Sequence, residues 1–332
     1  MTDDPCSKTR FRWAGSPAIS LEEAARRLGV SLDETVRRAA RRLPLRFPES
    51  YLDLVDPADP ADPIRAIAWP APEEIEEDPG ALEDPVGENE CRLHRLVIQK
   101  YPDRALLLLT SRCHFYCRFC FRADRGGEPR PGEIEEAIEI LARRPGLREI
   151  ILSGGDPLVL PDDLLEGLLG SLGRLEGLRS VRIHTRAPVH DPARVDDALV
   201  DALVRGAPRP LWMVLHLTHP RELTPAFDAA VERLRRAGIG LMSQSVLLRS
   251  VNDDPELLAT LFRGLYERQV RPYYLHHPDR TAGTARFRLS IERGLAIVRA
   301  LRERVPGPAF PHYVIDRPDG SGKLPVMWWT PS

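Results

Sequence analysis

Three cysteines fall within eight residues, as Cys113-His-Phe-Tyr-Cys117-Arg-Phe-Cys120. Thiolates at this spacing share one loop, and three of them can hold three irons of a [4Fe–4S] cube. The fourth iron is then open to an exchangeable ligand, unlike a cluster closed by four cysteines. The alternative is zinc, with His114 or Cys91 as fourth ligand. Structural zinc usually draws on two cysteine pairs, or on a cysteine pair and a histidine pair, and no second pair occurs here. Cys6 and Cys91 read as incidental thiols. Five cysteines with three crowded together do not make a disulfide framework; in a reducing compartment such a cluster reads as metal binding or redox chemistry.

Two further segments carry chemistry. Ser153-Gly154-Gly155-Asp156-Pro-Leu158 has paired glycines, which let the main chain approach a ligand closely. Alone, it reads equally well as an ordinary strand-to-helix turn. Asp316-Arg-Pro-Asp-Gly320-Ser-Gly322-Lys323 places a lysine in a flexible Gly/Ser loop. Lysine can form an imine with a carbonyl, whereas arginine stays protonated. Only Lys8, Lys100 and Lys323 are lysines among the 47 basic residues, so each is a candidate for work arginine cannot do.

These residues need a scaffold. From about residue 100, apolar strand segments alternate with helical ones. Strands are expected at 105–110, 149–153, 180–185, 211–217, 240–247, 272–276 and 311–315. Helices are expected near 132–143, 162–175, 193–204, 223–237, 255–269 and 290–304. Six or seven βα units predict an α/β fold, a partial (β/α) barrel with ligand sites at the C-terminal strand ends. Every motif above follows a strand. The N-terminal extension reads as helical and irregular. Ser20-Leu21-Glu22-Glu23 and Ser31-Leu32-Asp33-Glu34 resemble helix starts. Residues 51–95, rich in Pro, Asp and Glu, read as a wrapping segment with little regular structure. The expected division is an extension over 1–95, a barrel over 96–305 and a lysine-bearing segment over 306–332.

The 332 residues are 42% apolar, enough for one large α/β domain with an extension. Lys and Arg (47) nearly cancel Asp and Glu (49), which argues against a nucleic-acid partner held by bulk charge. No run of 18 apolar residues occurs, so no membrane span is expected. The start, MTDDPCSKTR, is acidic and lacks the apolar region of a signal peptide, so a cytoplasmic protein is expected.

The cysteine spacing, with Phe119 before the last cysteine and the glycine segment one βα unit later, resembles the radical S-adenosylmethionine superfamily. Further stretches are similar to the lysine 2,3-aminomutase family. They are Tyr101-Pro-Asp-Arg104, Cys117-Arg-Phe-Cys120-Phe-Arg122, Arg182-Ile-His-Thr-Arg186, His216-Leu-Thr-His219-Pro220 and Gln244-Ser-Val-Leu-Leu-Arg249-Ser-Val-Asn252-Asp253. The likeness runs from about residue 95 to about 327. It implies a [4Fe–4S] cluster on the three cysteines, its open iron chelated by the amino and carboxylate groups of S-adenosylmethionine. Phe119, Ser153, Gly154, Gly155, Asp156, His216 and Gln244 would surround that cofactor. Lys323 would hold pyridoxal 5′-phosphate, with Arg104 as a second contact. Arg122 would read the substrate carboxylate. Asp279 and Asp316 would read a side-chain amine, which favours lysine, although ornithine or another diamino acid also fits. The implied reaction is an isomerisation of L-lysine to β-lysine by a 5′-deoxyadenosyl radical and a pyridoxal phosphate aldimine. The implied partners are the small amino acid, an electron donor such as flavodoxin or ferredoxin, and a second copy in a homo-oligomer.

One departure bears on assembly. Longer family members carry zinc-binding cysteines after the pyridoxal lysine, and no cysteine follows Cys120 here. The short form also resembles relatives that make β-lysine for modifying elongation factor P; Asp316 and the Gly-Ser-Gly-Lys run lean toward free-amino-acid mutases. Three rival readings are an aminomutase for another amino acid, a radical enzyme that has lost pyridoxal phosphate, and a non-catalytic zinc or electron-transfer module. The last would not require six following βα units.

Overall fold

Alternating burial along short apolar runs organises the chain. In the run Arg104–Thr110 (RALLLLT), Ala105, Leu107 and Leu109 are buried while Leu106 and Leu108 turn the other way, the period-2 signature of a strand. The computed structural model describes residues 13–122, 127–208 and 210–326. Cys6 lies outside the described residues, as does the acidic start of the chain. The extension contains β1 (Ala18–Ile19), α1 (Leu21–Leu28), α2 (Glu34–Arg42), β2 (Phe47–Pro48), α3 (Glu49–Leu52) and α4 (Pro63–Ala68). Then come β3 (Arg92–His94), β4 (Val97–Tyr101), β5 (Arg104–Thr110), α5 (Glu133–Ala142), β6 (Glu149–Gly154), α6 (Asp162–Gly173), β7 (Ser180–Thr185), α7 (Ala187–His190) and α8 (Asp197–Gly206). The series continues with β8 (Leu211–His216), α9 (Pro225–Arg236), β9 (Gly240–Val246), α10 (Pro255–Glu267), β10 (Arg271–His276), α11 (Ile291–Arg302), β11 (His312–Arg317) and β12 (Gly322–Pro325).

Strands β3 to β12 form one sheet in chain order. Strands β5 to β11 run parallel, as repeated βα units require. Antiparallel strands β3 and β4 border one end and β12 the other. The two ends approach through side chains. The Tyr101 hydroxyl on β4 accepts a hydrogen bond from Lys323 N on β12 at 2.8 Å, and Lys100 Nζ lies 3.7 Å from Asp316. The sheet is therefore a curled partial barrel. Among the described residues no helix is long and apolar enough to cross a membrane.

Four expectations need correction. The second helix begins at Glu34 with Asp33 as its cap, accepting from Val36 N at 2.8 Å, so Ser31 is not its start. The helix expected at 193 begins at Asp197. Pro192–Arg194 forms a separate short turn, and Asp196 caps the helix through Leu199 N at 2.8 Å. The 51–95 segment holds α4, with Asp62 capping Arg65 N at 2.7 Å, Pro63 in the first turn and Ile64 and Ile67 fully buried. It also supplies β3 to the main sheet. Finally, the last parallel strand runs on to Arg317, and β12 folds back on it.

The extension grips the cysteine loop. Arg118, between two of the cysteines, is fully buried and donates Nη1 to Leu43 O at 2.6 Å and Nη2 to Ala39 O at 3.2 Å. Its Nε reaches both carboxylate oxygens of buried Glu74 at 3.0 and 3.1 Å, and its own N donates to Ile67 O. Phe115 packs edge-on against Phe47 and Tyr51, with centroids 5.3 and 4.8 Å away. Buried His114 faces Asp191 at 3.2 Å, and Asp191 accepts from Ser16 N and Oγ at 2.7 Å each.

Removing one member of a buried ion pair strands the other charge, at a cost of about 3–5 kcal/mol. Glu74→Ala should lower the denaturation midpoint accordingly and reduce iron retained per chain after reconstitution. A variant with unchanged midpoint and iron content would show that the clamp is dispensable.

Candidate active site

Every residue that the resemblance assigns to the cluster, cofactors or substrate lines one cavity at the C-terminal ends of the parallel strands, whereas His114 and Cys91 do not. Each comes from its own strand end: the cysteines after β5, Ser153 on β6, His216 on β8, Gln244 on β9, Asp279 after β10 and Asp316 on β11.

The cysteine loop and the glycine turn fit tightly together. Gly155 N donates to Thr110 O at 2.6 Å and Asp156 N to Arg112 O at 2.7 Å. A Cβ on Gly155 would run into the Arg112 main chain, and Gly154 sits at φ +108°. The glycines are thus required by loop-on-loop approach as well as by any ligand. The Asp156 carboxylate is engaged by Leu158 N (3.0 Å), Thr185 Oγ1 (2.7 Å) and Arg186 N (2.8 Å), and so orients the β7 end.

Arg186 is buried. Its Nη1 donates to Cys117 Sγ at 2.8 Å, its Nη2 to Glu222 at 3.0 Å, and its guanidinium lies 5.6 Å from the Phe119 ring centroid. Despite burial, the charges of Cys117 and Glu222 keep it firmly protonated. The residues fit a four-iron cluster: three cysteines line a common cavity, and a fixed cation offsets the negative charge thiolate ligands bring. Among the described residues no group of three His, Cys, Asp or Glu closes on a point that could hold a single metal ion.

Beyond Phe119, which meets His216 edge-on at 5.7 Å, the cavity carries orphaned polar atoms. His184 Nε2 and His216 Nε2 are buried without hydrogen-bond partners. Burial, helped by Arg182 for His184 and Arg186 for His216, holds both rings neutral, so each can donate and accept. Such atoms fit a polar cofactor such as S-adenosylmethionine.

Lys323 does not sit in a loose loop, as expected from its glycines. It belongs to β12 in register with Asp316, and its Nζ pairs with Asp316 Oδ2 at 2.7 Å. Gly320 and Gly322, at φ +75° and +91°, turn the chain into this pairing. Arg104 stacks 3.7 Å above the Tyr101 ring, whose hydroxyl holds Lys323 N. An amine, an aromatic ring and a cation together suit pyridoxal phosphate. Lys100, near Asp316 and bonded to Val86 O, was not singled out as a site residue; the scarcity of lysine was the signal.

Arg122 is paired with Glu88, which no motif marked. Burial pushes the Asp279 carboxyl up to about 7, and nearby Asp316 adds to the shift. Burial also acts on Asp316, but Lys323 and then His276 pull that group below its ordinary value.

A curled parallel sheet with a three-cysteine loop and a glycine turn at its C-terminal edge defines a radical S-adenosylmethionine enzyme, and the Radical SAM superfamily profile matches residues 107–262. The L-lysine 2,3-aminomutase of Fusobacterium nucleatum is 36% identical over 93% of this chain and 73% of its own length. That of Clostridium subterminale is 37% identical over 96% and 77%. The glutamate 2,3-aminomutase of Clostridioides difficile is 34% identical over 83% and 66%. The chain belongs to the lysine 2,3-aminomutase family, whose cofactors are a [4Fe–4S] cluster, S-adenosylmethionine and pyridoxal phosphate.

The Asp279 shift has a stability consequence. An aspartate whose native pKa is raised favours the fold below its ordinary value of 3.8, and the advantage is lost progressively as pH rises from there through about 7. Asp279→Asn should therefore raise the melting temperature more at pH 8 than at pH 5. Equal shifts at both values would contradict the assigned protonation.

Proposed function

We propose that the protein is an L-lysine 2,3-aminomutase, an isomerase that moves the α-amino group of L-lysine to the β-carbon to give β-lysine. One observation carries this: a single cavity joins the three cysteines to Lys323, Asp316 and Asp279. When bound, the cluster with S-adenosylmethionine supplies a hydrogen-abstracting carbon radical, and pyridoxal phosphate supplies a ring that spreads the unpaired electron.

The chain's own residues bind and orient. Cys113, Cys117 and Cys120 would hold the cluster, with Arg186 against Cys117. Phe119, Ser153, Gly154, Gly155, Asp156, His216 and Gln244 would frame S-adenosylmethionine, and Lys323 with Arg104 would hold pyridoxal phosphate. Arg122 would receive the α-carboxylate through its guanidinium. Asp316 and Asp279 would receive the distal ammonium. An arriving cation favours the ionised form of Asp279, whereas the second carboxylate of glutamate would be repelled by both acids. Recruiting the amine of Lys323 to a cofactor would withdraw it from Asp316 and free that carboxylate for substrate. The curled sheet would shield the reacting atoms on the strand side of the cavity. The extension over 1–95 would serve as the clamp, 96–305 as the catalytic barrel and 306–332 as the cofactor-lysine segment. The enzyme would work in the cytoplasm with an electron donor such as flavodoxin or ferredoxin, as a homo-oligomer.

Anaerobic incubation with S-adenosylmethionine, pyridoxal phosphate, dithionite and L-lysine should yield β-lysine. 5′-Deoxyadenosine without β-lysine would move the substrate to another amino acid. Asp279→Ala and Asp316→Asn should each cut lysine turnover by about tenfold to a hundredfold, the size of one lost charge-assisted hydrogen bond, while cofactor cleavage persists. Unchanged lysine turnover in Asp279→Ala would defeat its assignment. Lys323→Ala should lose the imine absorbance of the pyridoxal-loaded protein; retention of that band would exclude Lys323 as the anchor.

A further inference from the structure

Arg122 and Lys323 come from opposite parts of the sheet. Arg122 follows the cysteine loop beyond β5, whereas Lys323 lies on β12 at the far end. The carboxylate and amino nitrogen of an α-amino acid hang on one carbon, so the groups that receive them need a fixed separation. Strand pairing does not set it, because β5 and β12 are not neighbours.

A turn over residues 84–91 spans the gap. Asp84 organises it, accepting from Glu88 N at 2.9 Å and Asn89 N at 2.7 Å. On one flank, Glu88 forks Arg122 in a pair whose side chains are only 11% and 14% exposed. One Glu88 oxygen accepts from Nε at 3.3 Å and the other from Nη2. Nη1 is left on the side of Ser153, donating to its Oγ at 3.3 Å. The other flank lies on the lysine segment. Gly87 packs so closely on Gly320 that a Cβ would collide with the Gly320 backbone, and Cys91 Sγ donates to Gly320 O at 3.8 Å. Lys100 ties the same turn to β4 through Val86 O.

We infer that Glu88 is a positioning residue: it holds Arg122 on the turn that also braces the Lys323 segment, and so sets the spacing between Arg122 and the place where Lys323 would hold the cofactor that takes the amino nitrogen. Glu88 takes the Nε–Nη2 side of the guanidinium and leaves Nη1 for the cavity, so it orients Arg122 without filling its place. This rests on Arg122 receiving the α-carboxylate.

The test uses pyridoxal-loaded wild type, Glu88→Ala and Glu88→Gln. Each is titrated, by cofactor absorbance, with L-lysine and with cadaverine, which is lysine without its carboxylate. Glu88→Ala should weaken L-lysine about tenfold or more, as loss of a charge-assisted contact implies. Glu88→Gln should recover part of this, since its amide oxygen still accepts from Nε. Cadaverine should lose markedly less affinity than L-lysine in both. Equal weakening of both ligands, or tighter L-lysine binding in Glu88→Ala, would overturn the inference; the second would make Glu88 a competitor for Arg122. Hydrogen exchange needs no substrate and tests the brace separately. Glu88→Ala should speed exchange at 84–91 and at 318–323, and unchanged exchange at 318–323 would overturn it. A wild type that ignores L-lysine would count against the lysine assignment alone, leaving the exchange result to decide the brace.

Discussion

A buried guanidinium holds the cysteine loop in shape. Arg118 sits between Cys117 and Cys120, and its donors are taken by Glu74 and by the carbonyls of Ala39 and Leu43. A charge in that position is tolerable only with every partner in place, so the loop can adopt few other arrangements. Its partners lie in the N-terminal extension, which makes that extension part of the cluster site. The aromatic cluster of Phe47, Tyr51 and Phe115 and the His114–Asp191–Ser16 contacts act in the same direction.

From that fixed loop the cavity acquires a polarity. Near the cysteines stand one firmly protonated arginine, Arg186, and rings kept neutral by burial. Farther along lie Lys100, Lys323, Asp279 and Asp316, charges of both signs within one pocket. The neutral histidines add no positive charge to that part of the cavity. The acid pair shares its burden unequally: Asp316 is stabilised by amines, and Asp279 stays poised near neutrality. A substrate that brings its own ammonium relieves that imbalance, which is a physical reason for a cationic side chain.

Much of the barrel was legible because repeated βα units write their period locally. The burial of Leu107 and Leu109 against Leu106 and Leu108 is the alternation read from the run itself. The missed α4 had a signal too, Asp62 followed by Pro63, hidden in a stretch whose composition read as irregular. The second helix was misread at its start because Ser31 and Asp33 are both good caps, and only the geometry of the preceding chain selects between them.

The cysteine spacing by itself pointed to metal or redox chemistry, since three thiols lie within one loop. The glycine turn and the lone C-terminal lysine were equally local. Only the tertiary structure decided which groups meet one another. Glu88 meets Arg122 across 34 residues, Arg186 meets Cys117 across 69, and Lys323 meets Tyr101 across 222. Such pairs follow from the order of strands and the curl of the sheet, which no local periodicity encodes. Lys323 shows the division in one residue: its chemical type suggested imine chemistry, and its pairing with Asp316 on an antiparallel strand set where its amine lies.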